Sequence, residues 1–112
     1  MVELKKTPFD AEAFLASAGL GRRIVQFKPE QAFFAQGNAA DSIFYLQQGR
    51  AKLSVVSTNG KEATIALLGT GDFVGEESLA AVGGLRMATA VAITDCTALR
   101  IERAEMIRVM HE

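Results

Sequence analysis

Thiol and imidazole groups are scarce in this chain: its 112 residues include one cysteine, Cys96, and one histidine, His111. A lone cysteine forms no internal disulfide, so nothing requires an oxidising compartment, and the expected role of Cys96 is that of a small core residue. His111 has no second histidine or cysteine at metal-ligand spacing. That excludes the two or three clustered histidines of a metal-dependent barrel enzyme. Solvent exposure or a charge effect at a helix C-terminus is the expected role of His111. A basic surplus is missing too. Lys+Arg 12 against Asp+Glu 13 gives a net charge of −1, whereas a domain that grips nucleic acid by itself needs cations to neutralise phosphates. No stretch approaches the roughly 18 apolar residues of a membrane helix. The opening MVELKKTPFD leads into no apolar run of a secretory signal, so the cytoplasm is the expected compartment. No nucleophile–base pair or metal cluster is visible, so the chain reads as a non-enzyme.

What remains is apolar and finely punctuated. At 49% hydrophobic residues the chain can bury a real core as one domain. Asp10 caps a short helix, AEAFLASAG, with Phe14, Leu15 and Ala18 on one face and Gly19 as its stop. Short runs cut by Gly or Pro follow: RRIVQFK to Pro29, QAFFAQG, SIFYLQQG, and AKLSVVS into Asn59-Gly60. Asn-Gly between two alternating runs predicts a hairpin with a type I′ turn. Before it, Ala51, Leu53 and Val55 oppose Arg50, Lys52 and Ser54; after it, Ala63, Ile65 and Leu67 share a face. RMATAVAI and CTALRI supply two more strands. Strands this short, with turns every eight to twelve residues, read as a β-sandwich or rolled barrel. Phe33, Phe34, Phe44 and Phe73 are candidate core residues. A final helix, ERAEMIRVMHE, sets Met106, Val109 and Met110 on one face. It reaches residue 112 without a stop signal, which predicts that the chain is cut from a longer one.

The tract GTGDFVGEESLAAVGGLRMATA resembles the phosphate-binding cassette of cyclic-nucleotide-binding domains. Upstream, QGNAADSIFYLQQGRAKLSVVSTNGKE is similar to the strand–turn–strand unit that precedes it. Gly37, Gly49, Gly60, Gly71-Asp72-Phe73, Gly75-Glu76 and Arg86 carry the match in order, from about Ile24 to the end. The chain looks closest to the sensor domain of bacterial Crp/Fnr-type transcription regulators. The resemblance implies a mainly β fold, a double-stranded β-helix (jelly-roll-like β-roll) with short flanking helices. The expected divisions are residues 1–20 as an N-terminal helical segment, 21–101 as the β-roll and 102–112 as the start of a C-terminal helix. It also implies a cyclic nucleotide such as cyclic AMP as effector, homodimerisation through the C-terminal helix, and DNA binding only through a domain absent from this chain. Iron–sulfur sensing, found in the Fnr branch, needs several thiolates and is not expected from one.

The residues suit such a ligand on their own chemistry. The planar fork of Arg86 can give a phosphate two charge-assisted hydrogen bonds. Gly75 lets backbone come close. One helical turn over Glu77, Ser78 and onward to Ala80 can turn free N–H groups to an anion. The Glu76 carboxylate accepts from a hydroxyl. The family holds phosphate and ribose at the positions of Arg86 and Glu76. Ala66 and Leu68 are the expected wall for the base. If Arg86 faces inward, Ala88, Ala90 and Ala92 face the same way, and this small-residue row marks either an open pocket or a close approach of two sheets. The alternative is that Glu76 and Arg86 pair as a structural salt bridge, with a nucleotide or similar anion the preferred reading.

Three departures stand out. Met87 replaces the small polar residue that usually follows the arginine, a loss of about 1.5–3 kcal/mol of binding, roughly one to two decades. Glu77 adds a second negative charge where the family has an aliphatic residue. The long helix that closes over the base in Crp-type dimers is not in this chain. Two functions are therefore open: an effector-sensing module, or a ligand-independent scaffold kept for dimerisation.

Overall fold

Alternation of side chains decides what each strand covers, and two strands here are covered on both faces. The computed structural model describes residues 10–80 and 83–111; the reading of MVELKKTPF, and with it the start of the N-terminal segment, lies outside the described residues. The elements run α1 (Ala11–Ala16), β1 (Arg22–Phe27), β2 (Ala32–Phe34), β3 (Ser42–Gln48), β4 (Ala51–Val56), β5 (Glu62–Leu68), β6 (Phe73–Val74), a 3-10 turn (Glu76–Leu79), β7 (Thr89–Ala92), β8 (Cys96–Glu102) and α2 (Arg103–Met110). Two antiparallel four-stranded sheets form, ordered β1-β8-β3-β6 and β2-β7-β4-β5. Phe44 and Leu46 of β3 and Cys96 and Ala98 of β8 point into a core between the sheets, against Phe33, Phe34, Ala51, Ala90 and Ala92. The alternate residues, Ile43, Leu99 and Ile101, pack on the other face against Phe14 of α1 and Val109 of α2. Each fully buried Leu or Ile contributes about 1.5–3 kcal/mol of transfer free energy, so β3 and β8 anchor both cores.

The second sheet has only one covered face. Ala63, Ile65 and Leu67 are all exposed but do not share a face: Ala63 pairs with Val55 and Leu67 with Lys52, on opposite sides of β4, while Ala66 and Leu68 are half-buried. The pairing of β4 with β5 slips by one residue between Leu53 and Ser54, where Ile65 has no partner. This bulge, with its extra residue on β5, breaks the simple alternation of β5; Ser54 of β4 is buried where it was expected on the polar face. The hairpin itself forms by a different turn. Only Gly60 takes a positive φ, +84°; its amide donates to the Ser57 carbonyl at 2.9 Å, and the Ser57 amide donates to that of Lys61 at 2.8 Å. This is a three-residue loop with glycine in the left-handed position, not type I′.

Both helices differ in detail from expectation. The Asp10 carboxylate caps α1 by accepting from the Ala13 amide at 3.1 Å. The helix ends at Ser17, whose hydroxyl donates to the Ala13 carbonyl. Ala18 thus lies beyond it, and Gly19 instead closes a tight turn with Arg22 through two backbone bonds. In α2, Val109 is buried and Met106 half-buried, but Met110 is 60% exposed and Glu105 takes its place on the inner face. Its carboxylate accepts from Arg108 at 2.7 and 3.0 Å, and the pair holds its pKa below the usual 4.5. Gly21, with φ +71°, lies so close that a Cβ on it would sit 2.7 Å from that of Glu105.

Candidate functional site

Arg86 is held in place before its side chain is considered. Its amide donates to the Asn38 carbonyl at 2.7 Å and its carbonyl accepts from the Gly37 amide at 2.8 Å, while Ala39 and Leu85 form a bridge beside them. The loop 37–40 thereby takes the backbone that RMATAVAI was expected to give to a strand, and β7 begins only at Thr89. The side chain turns inward and the residue is 2% exposed. Its guanidinium lies 3.9 Å over the ring of Phe34, a cation–π contact strengthened by the lack of water.

A guanidinium stays charged at any ordinary pH, so burying one requires acceptors. One Nη donates to the Gly75 carbonyl at 3.2 Å and to Glu77 Oε1 at 3.3 Å. The other donates to the Ser42 carbonyl at 2.7 Å and the Ser42 hydroxyl at 3.2 Å. Nε is buried and has no partner among the described residues. Gly75 is required by both space and conformation. Its φ is +87°, and a Cβ there would meet Arg86 Nη1 at 2.7 Å and the Phe34 ring at 2.9 Å.

Gly75 caps the 3-10 turn, at whose open end the amides of Glu76 and Glu77 donate to no acceptor among the described residues. Ser78 is fully buried, and its hydroxyl donates to the same Ser42 carbonyl at 3.0 Å. Its own carbonyl accepts from Nε of Arg103, the first residue of α2. The turn is thus joined to β3 on one side and to the C-terminal helix on the other.

The structure divides the candidate residues. Gly75, Glu77, Ser78 and Arg86 form one bonded cluster. Glu76 is exposed on the turn and makes no ion pair with Arg86; the pairing carboxylate is Glu77. Met87 is 73% exposed. Ala66 lies in one cross-strand row with Leu53, Ala90 and Phe34, and Leu68 lies in the next with Ala51 and Ala92. Ala90 and Ala92 are 0% and 1% exposed, so this stretch of the alanine row marks close packing of the sheets, not open space. Arg86 also lines a cavity of about 330 Å³ with Phe33, Asn38, Asp41, Phe44 and Arg100; Gly75, Glu76, Met87, Ala66 and Leu68 do not line it. Sequence reasoning missed Ser42 and Phe34 as partners of Arg86. No local pattern marks them, because they meet the guanidinium only through the fold. Among the described residues no three acidic, histidine or cysteine groups could hold a metal, and no helix is long and apolar enough to cross a membrane.

Comparison with known proteins agrees with this architecture. The sequence matches the cyclic nucleotide-binding domain family over residues 24–112. It is 34% identical over 100 residues to the Cyclic AMP receptor protein of Thermus thermophilus, a match that covers 88% of this chain and 44% of that protein. With the cAMP-activated global transcriptional regulator CRP of Salmonella typhimurium it shares 30% identity over 78 residues, 70% of this chain and 37% of the relative. The chain therefore spans less than half the length of these relatives. The crystal structure of the Thermus thermophilus catabolite activator protein is similar with a TM-score of 0.75 at 28% identity, over 82% of this chain and 43% of that one. The sensor domain of the transcriptional regulator DNR from Pseudomonas aeruginosa shares the fold at a TM-score of 0.76 and 19% identity, over 83% of this chain and 62% of that one. By sequence and by its antiparallel jelly-roll fold, this chain belongs to the cyclic nucleotide-binding domain family, among the relatives of Crp-type regulators.

Proposed function

We propose that this chain is the effector-sensing domain of a Crp/Fnr-type transcription regulator and that it takes a cyclic nucleotide at the cassette around Arg86. In this reading Arg86 meets the cyclic phosphate, the Glu76 carboxylate accepts from the ribose hydroxyl, and Gly75 lets the ligand approach the backbone. Glu77 and Ser78 belong to the turn that faces the phosphate, Met87 flanks it, and Ala66 and Leu68 line the wall toward the base. The observation that carries the proposal is the buried guanidinium against Gly75, next to two amides without acceptors among the described residues. The bond from Arg103 to Ser78 offers a path to α2: a ligand that shifts the turn biases the helix by as much as it prefers one helix position over the other. Homodimerisation through a continued C-terminal helix, and DNA binding by a separate domain, belong to the whole regulator.

Titration calorimetry with cyclic AMP and cyclic GMP tests it. Heat of binding is expected for the native protein and should vanish in Arg86→Lys, which keeps the charge but loses the fork. One observation favours a second reading, a ligand-independent scaffold: four of the five guanidinium donors are already matched inside the chain. Silence at millimolar nucleotide, with Arg86→Lys lowering stability alone, would establish the scaffold instead.

A further inference from the structure

Resting on that reading of the cassette, we infer that Glu77 is its affinity-setting residue, an in-chain anion on Arg86 that an incoming phosphate must displace. The inventory of Arg86 partners singles it out. Gly75 and Ser42 offer carbonyls fixed by the chain, and Ser42 itself is 2% exposed. Among the described residues the carboxylate of Glu77 is the one charged partner, 3.3 Å from Nη1, and its side chain is 40% exposed against 1% for that of Arg86. It rides on a 3-10 turn of only four residues, so rotation about its own side-chain bonds carries it into water without moving the backbone.

The exchange is balanced in charge. A cyclic phosphodiester brings one negative charge to the guanidinium, and the carboxylate that leaves carries one away. A neutral nucleoside offers nothing that replaces the carboxylate, because the buried cation would be stripped of its counter-charge. Glu77 therefore lowers affinity for every anionic ligand while discriminating against uncharged ones. Exposed Met87 cannot offset this loss, since its thioether donates no hydrogen bond to a phosphate oxygen.

The test is calorimetric titration of cyclic AMP and adenosine into the native protein, Glu77→Gln and Glu77→Ala. Both substitutions delete the competing charge, and each is expected to tighten cyclic AMP binding by about tenfold, the worth of one charge-assisted contact. Adenosine should gain nothing. Ligand-free melting temperatures should fall in both variants, and saturating cyclic AMP should close the gap to the native protein. Native protein that binds cyclic AMP, with neither variant any tighter, overturns the role of Glu77 and leaves the sensor reading standing. Absence of binding in all three proteins overturns the sensor reading and this inference with it.

Discussion

Two arginines in this molecule are set into it in nearly the same way, and only one belongs to the cassette. Arg86 lies 3.9 Å over Phe34 and donates to the carbonyls of Gly75 and Ser42. Arg22 lies 4.2 Å over Phe14 and donates to the Phe14 carbonyl. Both leave a buried Nε without a partner among the described residues. Each has a left-handed glycine close by: Gly75 against Arg86, and Gly21 against Glu105, whose pKa Arg22 helps to lower. The difference lies in what surrounds the charge. Around Arg22 stand two helices and an outer sheet face, the seam of the second core. Around Arg86 stand a short turn whose first two amides have no acceptor among the described residues, and the partly exposed carboxylate of Glu77. A guanidinium stacked on a phenyl ring is thus a way to bury a cation, and a site needs a partner that can leave.

The contrast breaks most sharply under direct substitution. Arg86→Ala should weaken cyclic AMP binding by at least about a hundredfold, two charge-assisted bonds being lost. Arg22→Ala should leave the affinity within about twofold while lowering the unfolding free energy by about 1–3 kcal/mol, through lost packing and the lost hydrogen bond to the Phe14 carbonyl. Calorimetry and denaturant melts on the same two proteins separate the effects. Next in size, Met87→Ser places a hydroxyl beside the cassette arginine, and nucleotide affinity should rise by about one to two decades.

The glycine pair sharpens the comparison further. Gly75→Ala forces a Cβ against Arg86 and Phe34, and Gly21→Ala forces one against Glu105, each at a positive φ. Each should cost about 1–3 kcal/mol of stability, yet only Gly75→Ala should also weaken nucleotide binding, by about tenfold. Smallest is Glu105→Gln. The fold lowers the pKa of Glu105 chiefly through its hydrogen bond from Arg108, so its stabilisation is present above about pH 4.5 and is lost as the pH falls through the lower folded value. Its partner is largely exposed, which limits the gap between native protein and variant to about 1 kcal/mol at pH 7. Denaturant melts from pH 7 down to pH 3 should show that gap closing in acid.

Much of this was legible in the residues because it depends on near neighbours. Glycine-cut runs marked seven of the eight strands, and β6 escaped because two residues, Phe73 and Val74, display no period. The residues of the bonded cluster around Arg86 that lie on one short tract, Gly75, Glu77 and Ser78, were within reach of the sequence for that reason. The alternative salt bridge named Glu76, and the structure pairs Glu77 instead: the two are adjacent, and only the direction of the turn decides which one faces the guanidinium. Ser42 reaches Arg86 across 44 residues of sequence, a meeting made by the packing of two sheets. Glu105 gave no signal within the helical period of Met106, Val109 and Met110, and its setting beside Gly21 and Arg22 is made only by the fold. The same limit hid Arg22, whose setting becomes clear only when α1 folds over the sheet.

The most direct measurement observes the two guanidinium groups themselves. In an arginine side-chain nitrogen–proton spectrum titrated with cyclic AMP, the Arg86 resonances should shift and saturate with the calorimetric binding curve, while those of Arg22 stay fixed. Binding that moves Arg22, or that leaves Arg86 unmoved at saturation, would contradict the assignment of the cassette as the place where this domain meets its effector.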